Sequence, residues 1–401
     1  MNNQPSEAKK NLRYNFIIAT MTFVTFLAYS ISGFYTTLLV DIAKSFKVSI
    51  GTISQLAIIP QVMGLIMGFA MGFLAVKFKH KSLYLIGIAL FALASMGYFF
   101  SQTLLQFLLW NFVGGAGYAM FIIIGQTMVG ELFPLNRRGW VIGLGVSSIW
   151  LAFVIVGPLS GFIDSIAGWR SVLPWFIFPY SLICLGLGFV FIPSKQWQQQ
   201  SVAKPSYKQA FQQVLLNKSA IACVTANAFS GFLAIVGLYG VSFYRVAFNI
   251  SPSLGGVFAA IAFGGGIFGG LIGGRLVNRI GRKYIAVLAY SVAGLLAIVF
   301  TFVPNAWVSL GLWSGLEFFV AMGLASAISL TLEQVPGFRA SMMSVNTAIS
   351  SIGWIVAIII GGLVLNIHNN DFNLLMTILG AGGVAAGLIF LFLSRDPCKV
   401  R

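Results

Sequence analysis

The strongest constraint on this chain is a series of hydrophobic runs, each long enough to cross a lipid bilayer as a helix. A spanning helix needs about 20 mostly apolar residues. Twelve runs meet that length, near residues 14–36, 51–75, 82–101, 103–130, 140–163, 171–193, 219–243, 253–275, 284–304, 306–332, 341–366 and 372–394. Segments of a transmembrane barrel would be shorter and would alternate in hydrophobicity, which these runs do not. The sequence therefore predicts an all-α membrane protein with twelve transmembrane helices.

The composition agrees with this prediction. Hydrophobic residues make up 58% of the chain and charged residues only 8%, whereas soluble domains carry about 25% charged residues. A soluble fold could not cover so much apolar surface, and lipid is the solvent that can. The net charge of +16 would suggest a nucleic-acid partner in a soluble protein. Here we attribute it to the basic loops of a membrane protein and expect no nucleic-acid partner.

The distribution of Lys and Arg predicts the orientation in the membrane. With the N-terminus inside, nineteen of the 24 Lys and Arg residues fall in inner segments. The outer segments hold only Lys44, Lys47, Arg170 and Arg245, and Arg275 lies at the end of a run and is left unassigned. Positive residues concentrate in cytoplasmic loops. We therefore predict a multi-pass protein of the cell membrane with both termini in the cytoplasm.

Repeated patterns divide the chain into two halves. The pattern E-x-x-P-x-x-R occurs at residues 131–137 and again, 202 residues later, at residues 333–339. At the same offset, the residues Leu74, Lys77 and Lys81 match Leu276, Arg279 and Lys283. Two patterns that share one offset indicate a duplicated six-helix unit, with a substrate site between the repeats. We predict an N-terminal six-helix bundle over 1–193, a cytoplasmic linker over 194–218 and a C-terminal six-helix bundle over 219–401.

A basic loop in each half carries the clearest resemblance to a known family. Gly274 to Lys283 reads G-R-L-V-N-R-I-G-R-K, and Gly72 to Lys81 is a more degraded counterpart. The first resembles the G-x-L-x-D-R-x-G-R-R/K loop of the major facilitator superfamily, and the chain resembles that family over essentially its whole length. Asn278 and Val76 occupy the acidic positions.

The resemblance implies two pseudo-symmetric six-helix bundles, transport by alternating access, and loops that help to close the cytoplasmic gate. The residues to which it assigns this gating role are Lys77, Lys81, Glu131, Arg137, Gly274, Asn278, Arg279, Gly281, Arg282, Lys283, Glu333 and Arg339. With both loop acids lost, Glu131 and Glu333 are the acids left to pair with the basic loops. The alternative is that these loops only fix the topology.

Two further motifs bear on the direction of transport. Gly157, Pro158 and Gly161 in span five form G-P-x-x-G, and residues 168–170 read G-W-R. Both resemble motifs of exporters in this superfamily, notably the drug:proton antiporters; a packed, bent helix is the alternative explanation. Residues 111–117 resemble the span-four motif R-F-x-x-G-x-G of proton-coupled antiporters, but Asn111 replaces the arginine. That replacement weakens the prediction of proton antiport.

One acidic residue lies deep inside an apolar run. Glu317 is about eleven residues into span ten, roughly 16 Å deep at 1.5 Å per residue. An ionisable group at that depth costs roughly 2.5–3.5 kcal/mol and generally faces a cavity or a partner. We predict a protonation site or a counter-charge for a cationic substrate; the alternative is a protonated packing residue. Lys and Arg are absent at this depth, which disfavours strongly anionic substrates.

Other polar and aromatic residues lie mostly on the helices that the resemblance assigns to the cavity. Each alone is more often a helix–helix hydrogen bond or an interfacial aromatic, but as a set they are candidate substrate contacts. They are Tyr29, Tyr35, Asn111, Gln126, Asn227, Tyr239, Trp313 and Asn346.

Motifs for enzymatic chemistry are missing from the sequence. It has no G-x-x-x-x-G-K-[ST] loop for ATP, no catalytic constellation and no metal-ligand spacing, so we expect neither enzyme activity nor a cofactor. The leading hypothesis is a monomeric secondary exporter of small amphipathic or cationic molecules, driven by an ion gradient, with protons as the candidate ion. The alternatives are an importer or facilitator of a neutral metabolite without proton coupling, and a membrane sensor that no longer transports.

Overall fold

The computed structural model describes residues 7–48, 58–194, 207–250, 252–367 and 371–398. Twelve helices in this part of the chain are long and apolar enough to cross a membrane, which confirms the predicted number. Their α-helical segments are α1 (Glu7–Phe46), α2 (Ile58–Lys77), α3 (His80–Phe100), α4 (Leu104–Leu132), α5 (Leu135–Ala167), α6 (Phe178–Phe191, within the span Trp169–Phe191), α7 (Lys218–Ala247), α8 (Pro252–Ile280), α9 (Arg282–Val299), α10 (Ala306–Leu332), α11 (Arg339–Ile367) and α12 (Phe372–Leu393). The described residues contain no β-strand.

The helix ends differ from the predicted runs because hydrophobicity marks only the part of a helix that lies in lipid. α1 continues ten residues beyond its apolar run, through Asp41 and Lys44 to Phe46. The sixth span begins with a 3₁₀ turn (Trp169–Ser171) and a π-helical segment (Leu173–Ile177) before α6.

In the described part of the polar linker, a short helix, Tyr207–Leu216, precedes α7. Residues 195–206 of the predicted linker, residues 51–57 of the second run and the Arg245 side chain lie outside the described set.

The helices pack as two repeated bundles of six. In the first half α1 packs on α5, α2 on α4 and α3 on α6, and in the second half α7 packs on α11, α8 on α10 and α9 on α12. Each pair of the first half therefore recurs six helices later, as the 202-residue offset predicts. The two halves meet along α5 with α8 and along α2 with α11.

Large apolar side chains cover the outer surface of the bundle. Phe100, Phe162, Phe189, Phe268 and Phe392 are all exposed on spanning helices. Exposed apolar patches of this extent do not occur on soluble monomers. The surface is suited to lipid.

One end of the bundle carries most of the charged contacts, and we call it the basic end. It holds the turns α2–α3, α4–α5, α8–α9 and α10–α11. Side-chain contacts join these turns to one another: His80 to Glu131, Arg138 to Glu333, and Asn278 to the backbone of Asn136. At the other end, Arg170 donates a hydrogen bond to Ser45 at the close of α1, over 2.8 Å.

Glycines bring α5 and α8 into direct backbone contact near the basic end. A Cβ atom added to Gly143 would lie 2.6 Å from the carbonyl oxygen of Gly270 and 2.7 Å from the Cα of Gly274. One turn earlier on α5, Gly139 faces the backbone of Gly274 in the same way. Small residues allow helices to approach this closely in membranes. The basic end of the interface between the halves is therefore closed in this structure.

Candidate functional site

Glu317 lies near the middle of α10 and is only 4% exposed. Two indole groups donate hydrogen bonds to its carboxylate, one to each oxygen. Trp150 Nε1 lies 2.9 Å from Oε2, and Trp313 Nε1 lies 3.2 Å from Oε1. Trp313 belongs to the same helix, one turn away, so α-helical geometry places it beside Glu317. The structure thus brings together two of the predicted site residues.

Trp150 comes from α5 and therefore from the other half of the molecule. Glycines make room for both indoles, since a side chain at Gly266 would clash with Trp150 and one at Gly240 would clash with Trp313. The hydrogen bond from Trp150 to Glu317 joins the two halves deep in the bundle. Its donor, Trp150, is on α5, the same helix that carries the glycine contacts at the basic end.

Trp150 was not among the site residues predicted from the sequence. A tryptophan in an apolar run is normally an ordinary membrane residue, and nothing in its spacing points to a carboxylate 167 positions away. The available signal was the combination of a buried acid in span ten with the glycine-rich span eight, which predicts close packing there. The partner helix of that packing emerges only from the fold.

The charge of Glu317 has no cationic partner among the described residues. The ion pairs found there involve His80, Arg138, Arg282 and Arg339, and none includes Glu317. Its two hydrogen-bond donors are neutral. A carboxylate at this depth that lacks a counter-charge can be neutralised either by a proton or by a cationic ligand.

A second polar cluster joins α1, α3 and α4 in the first half. Asn111 is 2% exposed; its Nδ2 lies 3.4 Å from the hydroxyl of Tyr35, and its Oδ1 accepts from Tyr98 over 3.3 Å. Beside it on the same helices, the hydroxyl of Tyr118 donates to that of Tyr29 over 3.1 Å. The predicted contacts Tyr35 and Asn111 therefore share one hydrogen-bonded group, and Tyr29 belongs to a second pair on the same two helices.

A third cluster lies toward the basic end of the second half. Asn227 Nδ2 donates to Asn346 Oδ1 over 2.7 Å and to Thr331 Oγ1 over 3.0 Å. Thr331 is fourteen residues beyond Glu317 on α10, about 21 Å along the helix. Asn227 and Asn346 are therefore remote from the Glu317 carboxylate.

The remaining predicted contacts, Gln126 and Tyr239, are half-buried on α4 and α7. Tyr239 packs against Gly361 of α11. Neither is brought into the Glu317 cluster.

An ion-pair cluster crosses between the halves at the basic end. Glu333, 3% exposed at its side chain, pairs with Arg138 of the first half and with Arg339, 3.1 Å away. The repeated E-x-x-P-x-x-R pattern predicted that Arg137 takes part in such pairs, but the Arg137 side chain is exposed. Neighbouring positions on a helix point about 100° apart, so the adjacent Arg138 is the one that faces Glu333.

Asn278, at the acidic position of the loop motif, also reaches the other half. Its Nδ2 donates to the backbone carbonyl of Asn136 over 2.6 Å. Nearby, the guanidinium of Arg275 lies over the ring of Trp140, 4.3 Å from its centre. The amide that replaces the acid therefore still makes a contact between the halves.

Other predicted gating residues bond within a single half. Lys81 Nζ donates to the carbonyl of Phe189 near the end of α6 over 2.6 Å, and Lys283 Nζ donates to that of Ser394 after α12 over 2.8 Å. Cations at a helix C-terminus satisfy its free carbonyls. The two lysines, 202 residues apart, therefore make equivalent contacts with the end of the last helix in each half.

Apart from Gly274, the remaining predicted gating residues also make no contact between the halves that the structure describes. Arg282 is buried and lies 3.7 Å from Asp396 within the second half. Glu131 pairs with His80 over 2.9 Å within the first half. Lys77 lies over the ring of Phe73 on its own helix, 4.2 Å from the centre. Arg279 is exposed, and Gly281, the residue before α9, has a φ of 110°, a left-handed value that favours glycine.

The span-five motif packs inside the first half. Pro158 lies within α5 without ending it. A Cβ atom on Gly157 would lie 2.9 Å from Thr37 Oγ1 on α1, and Gly161 faces the same residue. These glycines set how closely α5 packs on α1, while the opposite half is contacted by other positions of α5.

We expect Glu333→Gln to weaken the contact between the halves at the basic end. Hydrogen bonds to charged groups contribute about 1.5–3 kcal/mol each. The substitution weakens two such bonds, from Arg138 and from Arg339, because the glutamine side chain is uncharged. Thermal unfolding of the purified protein should therefore begin at a lower temperature. Combined with Arg138→Gln, the loss should be smaller than the sum of the two single losses. Additive losses would contradict a direct pair.

Comparisons with known proteins place this architecture in a family. A model of the Major Facilitator Superfamily matches residues 19–315 and 241–401. The chain is 23% identical over 343 residues to the uncharacterized MFS-type transporter YwfA of Bacillus subtilis, covering 82% of this chain and 79% of YwfA. It is 22% identical over 343 residues to the bicyclomycin resistance protein homolog of Haemophilus influenzae, covering 81% of this chain and 82% of that protein.

The fold is also that of a solved transporter. The structure of the proton:xylose symporter XylE bound to 6-bromo-6-deoxy-D-glucose matches with a TM-score of 0.77 at 16% identity, covering 96% of each chain. With the family model matching nearly the whole chain and the helices repeating as two bundles of six, this protein belongs to the major facilitator superfamily of membrane transporters.

Proposed function

We propose that this transporter exports small cationic or amphipathic molecules, that an ion gradient drives the export, and that Glu317 is the charged site. The observation that carries the proposal is a buried carboxylate in mid-helix whose hydrogen bonds come from two neutral indoles. Such a site attracts a proton or an organic cation. Indole faces beside it would also favour a cationic or aromatic ligand.

The hydrogen bond from Trp150 can couple the binding of a proton or cation at Glu317 to the relative movement of the two halves. Alternating access requires the halves to rock against each other around the site. With the basic end closed, Trp150 of one half donates to Glu317 of the other. When a proton or a cation neutralises the carboxylate, that hydrogen bond weakens. Loading of Glu317 then lowers the cost of separating α5 from α8 and α10.

The proposed orientation rests on the distribution of charge. We propose that the basic end faces the cytoplasm of the cell, because positive residues are retained on that side, and that both termini lie there. We also propose that the protein works as a monomer, with the bundles over 1–193 and 219–401 as the moving units and 194–218 as the linker. Gln126 and Tyr239 remain proposed substrate contacts along with the Tyr29, Tyr35 and Asn111 cluster.

The similarity to a bicyclomycin resistance protein homolog supports export, as does the G-P-x-x-G pattern of Gly157, Pro158 and Gly161. The alternative is an importer or facilitator of a neutral metabolite. It is supported by Asn111, whose amide is already hydrogen-bonded to two phenols in place of the antiporter arginine. Similarity of fold to a sugar symporter is compatible with that alternative.

Transport assays in inverted membrane vesicles distinguish the two functions. A panel of cationic dyes and drugs is offered under an imposed pH gradient, and then under a sodium gradient. We expect gradient-dependent accumulation of at least one cation, which collapses when an ionophore removes the gradient. If no cation accumulates and a neutral sugar or polyol equilibrates faster than in vesicles without the protein, export of cations is the wrong function.

A further inference from the structure

A groove of about 670 Å³ opens at the basic end of the second half. It lies between the first turns of α7 and α9 and the last turn of α12. One side of it is basic and the other apolar. The residues that give it this character are Lys218, Lys283, Arg395, Ile221, Phe392 and Leu393.

The basic side presents three cations from three different segments. Lys218 begins α7, Lys283 is in the first turn of α9, and Arg395 follows α12. None of the three is in an ion pair among the described residues, and the nearby Asp396 is paired with Arg282. Lys283 donates one hydrogen bond to Ser394, and an ammonium group carries three N–H donors. The groove therefore holds three cations that form no ion pair with a described carboxylate.

The apolar side belongs to the lipid-facing surface. Phe392 is 74% exposed and Leu393 62% exposed, in the last residues of the span formed by α12. Ile221 adds apolar surface one turn into α7. The groove thus crosses the level at which a spanning helix leaves the hydrocarbon and enters the headgroup region.

The first half differs from the second at two of the three aligned positions. At the 202-residue offset, Lys81 corresponds to Lys283, but Phe16 and Pro193 stand where the second half has Lys218 and Arg395. Phe16 stacks on Phe191 there, with ring centres 4.6 Å apart. Duplication alone therefore does not account for the three cations.

We propose that this groove binds an anionic phospholipid. The phosphate lies among Lys218, Lys283 and Arg395, and the acyl chains run along Phe392 and Ile221. Basic pockets between helix ends at a membrane surface attract such headgroups. A free phosphate would use the cations alone and leave the apolar wall in contact with bilayer lipid, so the combination favours a lipid. The proposal is independent of the substrate and of the direction of transport.

Native mass spectrometry of the detergent-purified protein tests this site. Phosphatidylglycerol and phosphatidylcholine with the same acyl chains are titrated separately, and inorganic phosphate is added as a competitor. We expect saturable binding of one phosphatidylglycerol, weak phosphatidylcholine binding and little competition by phosphate. In Lys218→Gln/Arg395→Gln, phosphatidylglycerol binding should fall roughly thirtyfold, since each surface cation contributes a several-fold factor.

The matched control removes two cations at the same end but outside the groove. Lys79 and Arg137 are both exposed in the α2–α3 and α4–α5 turns, and Lys79→Gln/Arg137→Gln should keep the phosphatidylglycerol affinity. Equal losses in both double variants, or an unchanged affinity in the first, would overturn the proposal. Displacement by millimolar phosphate would identify a soluble-anion site instead. If the groove variant unfolds, Lys218→Gln alone carries the test, with a fall of roughly fivefold.

Discussion

Replacement of Glu317 by glutamine is expected to abolish gradient-driven transport, lowering the initial rate of uptake into inverted vesicles about tenfold or more. A tenfold change corresponds to about 1.4 kcal/mol, and an uncharged amide loses the whole attraction for a cation or a proton. Glutamine keeps the shape of the side chain and one oxygen that can accept from Trp150 or Trp313. The variant should therefore still fold and elute as the wild type does. Its unfolding temperature should fall somewhat, because the amide nitrogen faces one of the two indole donors, so uptake is compared per amount of folded protein.

Glu131→Gln is the matched control, because it makes the same chemical change outside the middle of the bundle. Glu131 pairs with His80 at the basic end, so its loss should leave the gradient dependence of uptake in place. Undiminished gradient-driven uptake by Glu317→Gln would show that coupling uses another group. If wild-type transport of a neutral solute is also insensitive to Glu317→Gln, the facilitator alternative gains support.

Replacement of Gly143 by valine is expected to prevent the basic end from closing. The new side chain would meet the backbone of Gly270 and Gly274 on α8, which cannot move aside as a flexible side chain could. Overpacking costs about 1–3 kcal/mol, and all of it falls on the closed conformation. A bias of that size shifts a two-state equilibrium roughly 5- to 150-fold, so transport through a cycle that needs closure should fall strongly.

Disulfide crosslinking measures this shift directly. Cysteines placed at Asn136 and Asn278, which touch in the closed arrangement, should crosslink efficiently in a background without Cys184, Cys223 and Cys398. The yield should drop when Gly143→Val is added.

The control for this shift lies two residues further along the same helix. Gly145 has only Thr25 Oγ1 near its Cβ position, at 3.7 Å, so Gly145→Val should leave both crosslinking and transport nearly unchanged. Equal crosslinking in the two valine variants would show that the glycine contact does not control closure.

Much of the fold could be predicted because lipid imposes simple rules on sequence. A run of apolar residues of bilayer length has few alternatives to a helix, so the number of spans followed from the sequence. The 202-residue offset then predicted the two bundles, and the structure pairs their helices accordingly. Helix ends such as Phe46 escaped prediction because a helix continues into water on hydrogen bonds that hydrophobicity does not record.

For the candidate site, the depth of Glu317 in the membrane could be predicted from the sequence, but its hydrogen-bond partner from the other half could not. The position of Glu317 along its run gave its place in mid-helix. Trp150 was missed because contacts between helices depend on crossing angles and rotation that one sequence does not specify. Arg138 was missed for a related reason: repeat symmetry selects the equivalent residue, Arg137, whereas helix rotation decides which neighbour faces the other half.

The lysine contacts at Phe189 and Ser394 have a mechanical consequence. Each half holds the end of its own last helix through a contact within that half. The energy of a conformational cycle can then be concentrated at the sliding surfaces of α5 with α8 and α2 with α11, while the frames stay stiff. The bonds that reach across those surfaces at the basic end come from other residues, Asn278 and Glu333.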